Sequence, residues 1–167
     1  MGKKITIFLL IVMVCHVITY FFAGIIAQVV MGVGQYYPPS PTALHYLRST
    51  SDPAVQAWLL PAQLLRGLLF GLILFPFRTY LRKQGFWKGA LLIMGVIYVI
   101  GYIAASGGLI EHKVFFTEYP AAFAVITLIE IAIQTFLLGV GVMYFDQRFL
   151  KSDTGTKSSD IAEVNAL

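Results

Sequence analysis

Four long apolar segments, separated by polar or proline-rich breaks, constrain this chain more than any other feature. They are Ile5–Met31, Ala57–Phe77, Gly89–Ile110 and Ala121–Phe145. A helix needs about 20 predominantly apolar residues to cross the hydrocarbon core of a bilayer, and each segment is long enough. Barrel strands would alternate apolar and polar residues, which these segments do not. The sequence therefore predicts an all-α, polytopic membrane protein built as a four-transmembrane-helix bundle.

The composition agrees with this class and excludes others. Of the 167 residues, 58% are hydrophobic and only 12% are charged, and the mean hydropathy is +0.79. An ordinary soluble domain has about 25% charged residues, so a soluble enzyme, a disordered chain and a nucleic-acid partner are excluded. The single cysteine, Cys15, excludes an intrachain disulfide and a dithiol redox site. We expect one transmembrane domain over residues 1–150 and a disordered cytoplasmic tail over 151–167.

The distribution of lysine and arginine predicts the orientation. With both termini in the cytoplasm, nine basic residues lie inside and two, Arg48 and Lys113, lie outside. The nine are Lys3, Lys4, Arg78, Arg82, Lys83, Lys88, Arg148, Lys151 and Lys157. Because basic residues concentrate in cytoplasmic loops, we expect a multi-pass protein of the plasma (inner) membrane with its N- and C-termini inside.

The breaks between the segments carry helix signals. Asp52, followed by Pro53, is a candidate N-cap for the second helix. Pro61 lies inside that helix, where its missing N–H predicts a kink. The proline-rich stretch Tyr36–Pro41, in the longest outer loop, is predicted to be extended and to lie over the mouth of the bundle without forming a continuous helix.

Two charges inside the apolar segments are the most informative residues. Arg66 and Glu130 are each the tenth residue of their predicted spans, so both should lie about 13 Å below the outer edge. A charge near the middle of the bilayer costs at least about 2.5–3.5 kcal/mol. We therefore expect Arg66 and Glu130 to face each other inside the bundle, directly or through polar neighbours. The pair would lock the helix register, form a substrate or proton site, or contact another subunit.

Further polar residues lie within about two turns of the same depth on all four helices. They are His16, Gln63, Tyr98, Tyr102 and Gln134. With Arg66 and Glu130 they form the predicted intramembrane polar site, although glutamine and tyrosine in spans commonly hydrogen-bond only to neighbouring helices. His16 is either a hydrogen-bonded structural histidine or, with less support, an axial haem ligand.

Small residues predict where helices approach closely. Gly67 and Gly71 form a GxxxG pair, which packs helices within one chain or between protomers. A homo-oligomer is therefore one expected partner state, beside the lipid bilayer and a partner membrane subunit.

No phosphate loop, hydrolase triad or zinc-protease motif occurs in the sequence, and the loop histidines and carboxylates match no metal motif. We therefore assign no catalytic residue, metal or cofactor. The leading hypothesis is a non-enzymatic membrane protein that acts in small-solute or ion permeation, or as a membrane subunit of a larger assembly. The alternatives are a membrane-embedded enzyme that uses Glu130 or His16 for acid–base chemistry, and a structural or assembly module.

Overall fold

The computed structural model describes residues 2–44, 47–104 and 120–150, and all regular elements in these ranges are helical. The α-helices are α1 (Gly2–Val29), α2 (Pro53–Leu74), α3 (Arg78–Lys83), α4 (Phe86–Tyr98) and α5 (Ala121–Phe149). Three shorter helical turns accompany them: 3₁₀ turns at Val33–Tyr36 and Phe75–Phe77, and a π turn at Val99–Ile103.

Four of the continuous helical stretches are long and apolar enough to cross a membrane: Gly2–Val29, Pro53–Lys83, Phe86–Ile103 and Ala121–Phe149. They match the four predicted apolar segments, with shifted ends. α2 begins four residues before its predicted start, because Asp52 caps it by accepting a hydrogen bond from Ala54 N at 2.7 Å. The helix continues through Pro61. The predicted tail after Leu150 and the end of the third span beyond Ala104 lie outside the described residues.

The helices pack in the order α2, α1, α5, α4. α1 lies in the centre against α2 and α5, and α4 packs against α5. By contrast, α2 and α4 form no comparably extensive interface within the described residues. We call the end of the bundle that holds α3 the α3 end, and the opposite end, beside Val33–Tyr36, the long-loop end. A gap remains between α2 and α4.

Glycines set the two closest crossings. A β-carbon on Gly67 would lie only 2.8 Å from Met13 Cα, so α2 lies directly on the backbone of α1. Gly139 of α5 lies in the same way against the backbone of Ala90 in α4, with no room for a β-carbon. The predicted GxxxG pair thus packs two helices of the same chain.

The long loop folds back over the end of the bundle. Tyr36 is buried, and its ring lies 4.9 Å from that of Phe123 in α5. The prediction of an extended Tyr36–Pro41 stretch is wrong: a 3₁₀ turn ends at Tyr36, and further turns follow, closed by Ser40 N donating to Tyr37 O at 3.1 Å. The stretch lacks a continuous helix, as expected. Burial of the Tyr36 ring favours the turns, because it pulls the chain back onto α5.

Candidate functional site

A hydrogen-bonded triad of polar side chains connects three helices in the middle of the bundle. His16 of α1 makes a 3.1 Å contact from Nε2 to Gln63 Oε1 of α2. The other ring nitrogen, Nδ1, lies 3.4 Å from Gln134 Nε2 of α5. His16 is 1% exposed and Gln63 is 5% exposed, whereas Gln134 is half-buried.

The two hydrogen-bond partners of His16 fit one tautomer of its neutral ring. Gln63 Oε1 only accepts, so His16 Nε2 carries the proton and donates it. The amide of Gln134 then donates to the lone pair on Nδ1. Both ring nitrogens of a neutral imidazole then have hydrogen-bond partners inside the bundle. These contacts agree with a hydrogen-bonded structural histidine, and a role of His16 as an axial haem ligand stays untested.

A cavity of about 160 Å³ lies beside the triad, in the gap between α2 and α4. Its polar lining comes from His16, Arg66, Gln134 and Thr135, and its apolar lining includes Phe70. The volume is close to the roughly 150 Å³ of an engineered apolar cavity that accommodates benzene. A small solute therefore fits, and polar and charged groups are available to contact it.

Arg66 and Glu130 do not form the direct ion pair that the sequence suggested. The ion pairs in the described part of the chain are Arg48–Asp52, Arg78–Asp146 and Arg82–Asp146. Gln63 of α2 and Gln134 of α5 both contact His16, so the two glutamines lie at about the same depth in the bundle. From that level, Arg66 lies three residues, about 4.5 Å, toward the α3 end, whereas Glu130 lies four residues, about 6 Å, toward the long-loop end.

The mismatch in depth follows from the helix start. Because α2 begins at Pro53, Arg66 is its fourteenth residue, whereas Glu130 remains the tenth residue of α5. The premise of equal depth is therefore wrong. An indirect pairing of Arg66 and Glu130 through Gln63, Gln134, Tyr98 or Tyr102 stays a prediction.

Glu130 lies close to α1 and to the long loop. Its Oε1 would be 4.0 Å from a β-carbon on Gly24. Burial raises the pKa of the Tyr37 phenol in the long loop, and the negative charge of Glu130 raises it further. Glu130 is thus electrostatically coupled to the long-loop end, and it does not line the cavity beside Arg66.

The two predicted tyrosines hold α4 and its π turn to α5. Tyr98 Oη donates to Leu128 O at 3.3 Å, and Tyr102 Oη lies 2.6 Å from Thr127 Oγ1. A π turn shifts the register of the residues after it, and such turns are frequent at functional sites. Here Gly101 of the π turn lines the cavity, while Tyr98 and Tyr102 lie outside its lining.

A second buried cluster, which the sequence reasoning did not find, lies at the α3 end. Asp146 of α5 is 2% exposed and accepts from Arg78 Nε at 2.6 Å and from Arg82 Nη1 at 3.4 Å. Both arginines also donate to Leu150 O, just after the end of α5. We call Asp146, Arg78 and Arg82 the α3 clamp. The only sequence signal was an acidic residue that follows the fourth apolar segment directly.

In residues 2–44, 47–104 and 120–150, no group of three or more histidine, cysteine, aspartate or glutamate side chains is placed to hold a metal.

Fold and site together define a helical protein with four potential membrane-spanning stretches and a polar cavity between its helices. No known family, curated protein or solved structure matches the chain. Proposals about its function therefore depend on the geometry of this cavity and on the charges around it.

Proposed function

We propose that the chain is a non-enzymatic, multi-pass protein of the plasma (inner) membrane, and that its cavity binds a small anionic solute as a step in permeation. Four stretches long and apolar enough to span support the membrane location. The bias of lysine and arginine supports cytoplasmic N- and C-termini. In this orientation the α3 end lies in the cytoplasm.

One observation carries the choice of solute. Arg66 lines the cavity, yet no hydrogen bond or ion pair to Arg66 occurs within the described residues. An arginine near the middle of a bilayer costs at least about 2.5–3.5 kcal/mol, and such residues are usually paired or functional. An anion in the cavity would offset this cost, with the Gln134 amide beside it. The fixed fork of the guanidinium favours planar oxyanions such as carboxylates.

A membrane subunit of a larger assembly is the second candidate. In the described part of the chain α2 packs mainly against α1, and its Arg66 is exposed at the edge of the gap. A carboxylate from a partner subunit would satisfy Arg66 as well as a solute does. A purified chain that runs as a monomer and binds anions favours the first candidate over the second.

The test uses thiol labelling at a cavity position. Gly101→Cys places a thiol in the cavity lining, and Val99→Cys places one two residues away on the exposed surface of the same turn. The native Cys15 is buried and serves as an internal site that should not react. We expect an anionic methanethiosulfonate reagent to label Gly101→Cys at least several times faster than Val99→Cys.

Gly101→Cys should also react faster with the anionic reagent than with a cationic methanethiosulfonate reagent. Adding Arg66→Gln should remove this preference, because the positive charge of Arg66 attracts the anionic reagent. Acetate at millimolar concentration should slow labelling of Gly101→Cys only while Arg66 is present. Equal labelling of Gly101→Cys and Val99→Cys, or no effect of Arg66→Gln, would contradict the proposed anion site.

A further inference from the structure

An apolar groove at the α3 end is the second opening between α2 and α4. Its volume is about 290 Å³, and no polar surface lines it. Ile73, Phe77 and Tyr80 form one wall, and Leu92, Val96 and Ile100 form the other. The groove opens sideways between α2 and α4, which pack together much less than either packs against its main neighbour.

Both walls of the groove end in lysines. On α4, the lining residues Leu92 and Val96 lie four residues apart, Lys88 lies one turn before Leu92 on the same face, and Ile100 follows in the π turn. On the other wall, Lys83 follows Tyr80 by three residues and continues that face of α3. Both lysines are exposed, and the described residues contain no ion pair to either.

We infer that this groove binds an anionic phospholipid, with an acyl chain between α2–α3 and α4 and with its phosphate between Lys83 and Lys88. The arrangement matches a lipid in its ordinary orientation, because the charged mouth is at the end of the bundle and the apolar groove leads toward the middle. The inference rests on the membrane location proposed above, and it is independent of the anion site at Arg66.

The charges favour a lipid over a second copy of the chain. Two copies inserted in the same orientation would bring two α3 ends together, each with Lys83, Lys88 and the arginines of the α3 clamp. The positive charges of the two α3 ends would repel each other, whereas the anionic lipids of the cytoplasmic leaflet are attracted to basic residues near the surface. A polar peptide segment is also a poor occupant, because it would not bury the apolar walls of the groove.

The first test measures lipid binding to the purified full chain by native mass spectrometry. The probes are dioleoyl phosphatidylglycerol, which is anionic, and dioleoyl phosphatidylcholine, which is zwitterionic. We expect the unmodified chain to retain phosphatidylglycerol in preference to phosphatidylcholine. The Lys83→Gln/Lys88→Gln double variant should bind phosphatidylglycerol about 25-fold more weakly, or about fivefold for each lysine near the surface.

The matched control is Lys3→Gln/Arg148→Gln, which removes two positive charges from exposed positions at the same end but away from the groove. It should change phosphatidylglycerol binding by less than twofold. An equal loss in both double variants would overturn the inference, because it would indicate general attraction to the basic end. Equal binding of both lipids by the unmodified chain would also overturn it.

The second test fills the groove. Val96→Phe and Ile100→Phe each add bulk to one wall, while Val125→Phe adds the same ring to an exposed position of α5 outside the groove. The first two variants should lose retained phosphatidylglycerol and keep the mass of a monomer, and Val125→Phe should keep both. Unchanged lipid binding in both groove variants, or a dimer that either one abolishes, would overturn the inference.

Two further measurements separate this proposal from the others. Release of the chain from membranes by alkaline carbonate would contradict the membrane location itself. Arg66→Gln should leave phosphatidylglycerol binding unchanged, so failure of the anion site does not affect the lipid site. Loss of lipid binding in Arg66→Gln would instead contradict the independence of the two openings.

Discussion

Replacing Asp146 by asparagine should destabilise the protein more than the same change at the exposed carboxylate of Asp52. The side chain keeps its shape but loses its charge, while Arg78 and Arg82 remain mostly buried beside it, with 15% and 21% of their side chains exposed. The two arginines would then lack a compensating negative charge at the α3 end.

The distances set the magnitude. At an effective dielectric constant of about 20, opposite charges 2.6 and 3.4 Å apart attract by about 6 and 5 kcal/mol respectively, before desolvation is subtracted. Desolvation removes much of this, and breaking a buried pair by removing one partner typically costs about 3–5 kcal/mol. The lower end of that range applies to Asp146→Asn, because the amide oxygen still accepts a hydrogen bond and Leu150 O still accepts from both arginines.

The assay is unfolding of the purified protein in detergent micelles, followed by tryptophan fluorescence during titration with a denaturing detergent. Asp52→Asn is the matched control, because Asp52 also contacts an arginine, but the Asp52 and Arg48 side chains are 30% and 68% exposed. An exposed pair contributes about 0.2–1 kcal/mol, and the asparagine still caps α2. We therefore expect Asp146→Asn to cost at least about 2 kcal/mol more than Asp52→Asn.

Salt sharpens the comparison, because buried pairs are screened much less than exposed ones. Raising the salt concentration should leave the cost of Asp146→Asn nearly unchanged. A cost within about 1 kcal/mol of that for Asp52→Asn, or a cost that salt abolishes, would refute the reasoning that the α3 clamp is a buried charge cluster.

Three further predictions follow from the packing and the triad. Gly67→Val should strongly reduce the folded yield, because a β-carbon there meets the backbone of α1. Gly95→Val is the control and should be tolerated, because nothing lies within 4 Å of a β-carbon at Gly95. Size-exclusion profiles of the two variants compare their folded yields. Gln63→Leu should lower the free energy of unfolding by about 1–3 kcal/mol, because it leaves the His16 N–H without an acceptor. Adding His16→Leu should recover part of that loss in the same unfolding assay, and no recovery would contradict the triad. Reporter fusions in the α3 connection should be cytoplasmic and those near Ser40 external; the reverse result would refute the orientation.

The long apolar segments were sufficient to predict the helices, since apolar length is a local property of the sequence. The N-cap at Asp52 was also predicted from adjacent residues, and the hydrogen bond to Ala54 N confirms it. The extended conformation of Tyr36–Pro41 was predicted incorrectly, because proline content describes only the local backbone. The burial of Tyr36 against Phe123, 87 positions further along the chain, favours turns instead.

Contacts between distant parts of the chain were beyond the sequence reasoning. His16 contacts Gln63 and Gln134, which are 47 and 118 positions away. All three were predicted as polar site residues, yet their direct contact depends on the relative registers of three helices. Periodicity within one helix contains no information about its axial offset from the next. The same reason explains the missed α3 clamp, whose arginines seemed only to be basic loop residues.

The separation of Arg66 and Glu130 divides the expected single polar layer into two regions. Arg66 lines the cavity in the gap between α2 and α4, toward the α3 end from the triad, whereas Glu130 lies toward the long-loop end beside Gly24. The triad between them uses both nitrogens of His16, so it forms a neutral layer. A permeating anion at Arg66 would therefore meet a hydrogen-bonded barrier before it approached Glu130, which in its ionised form would repel it. The positions of the triad and of Glu130 therefore favour a solute that enters from the side, through the gap between α2 and α4, over one that moves along the bundle axis.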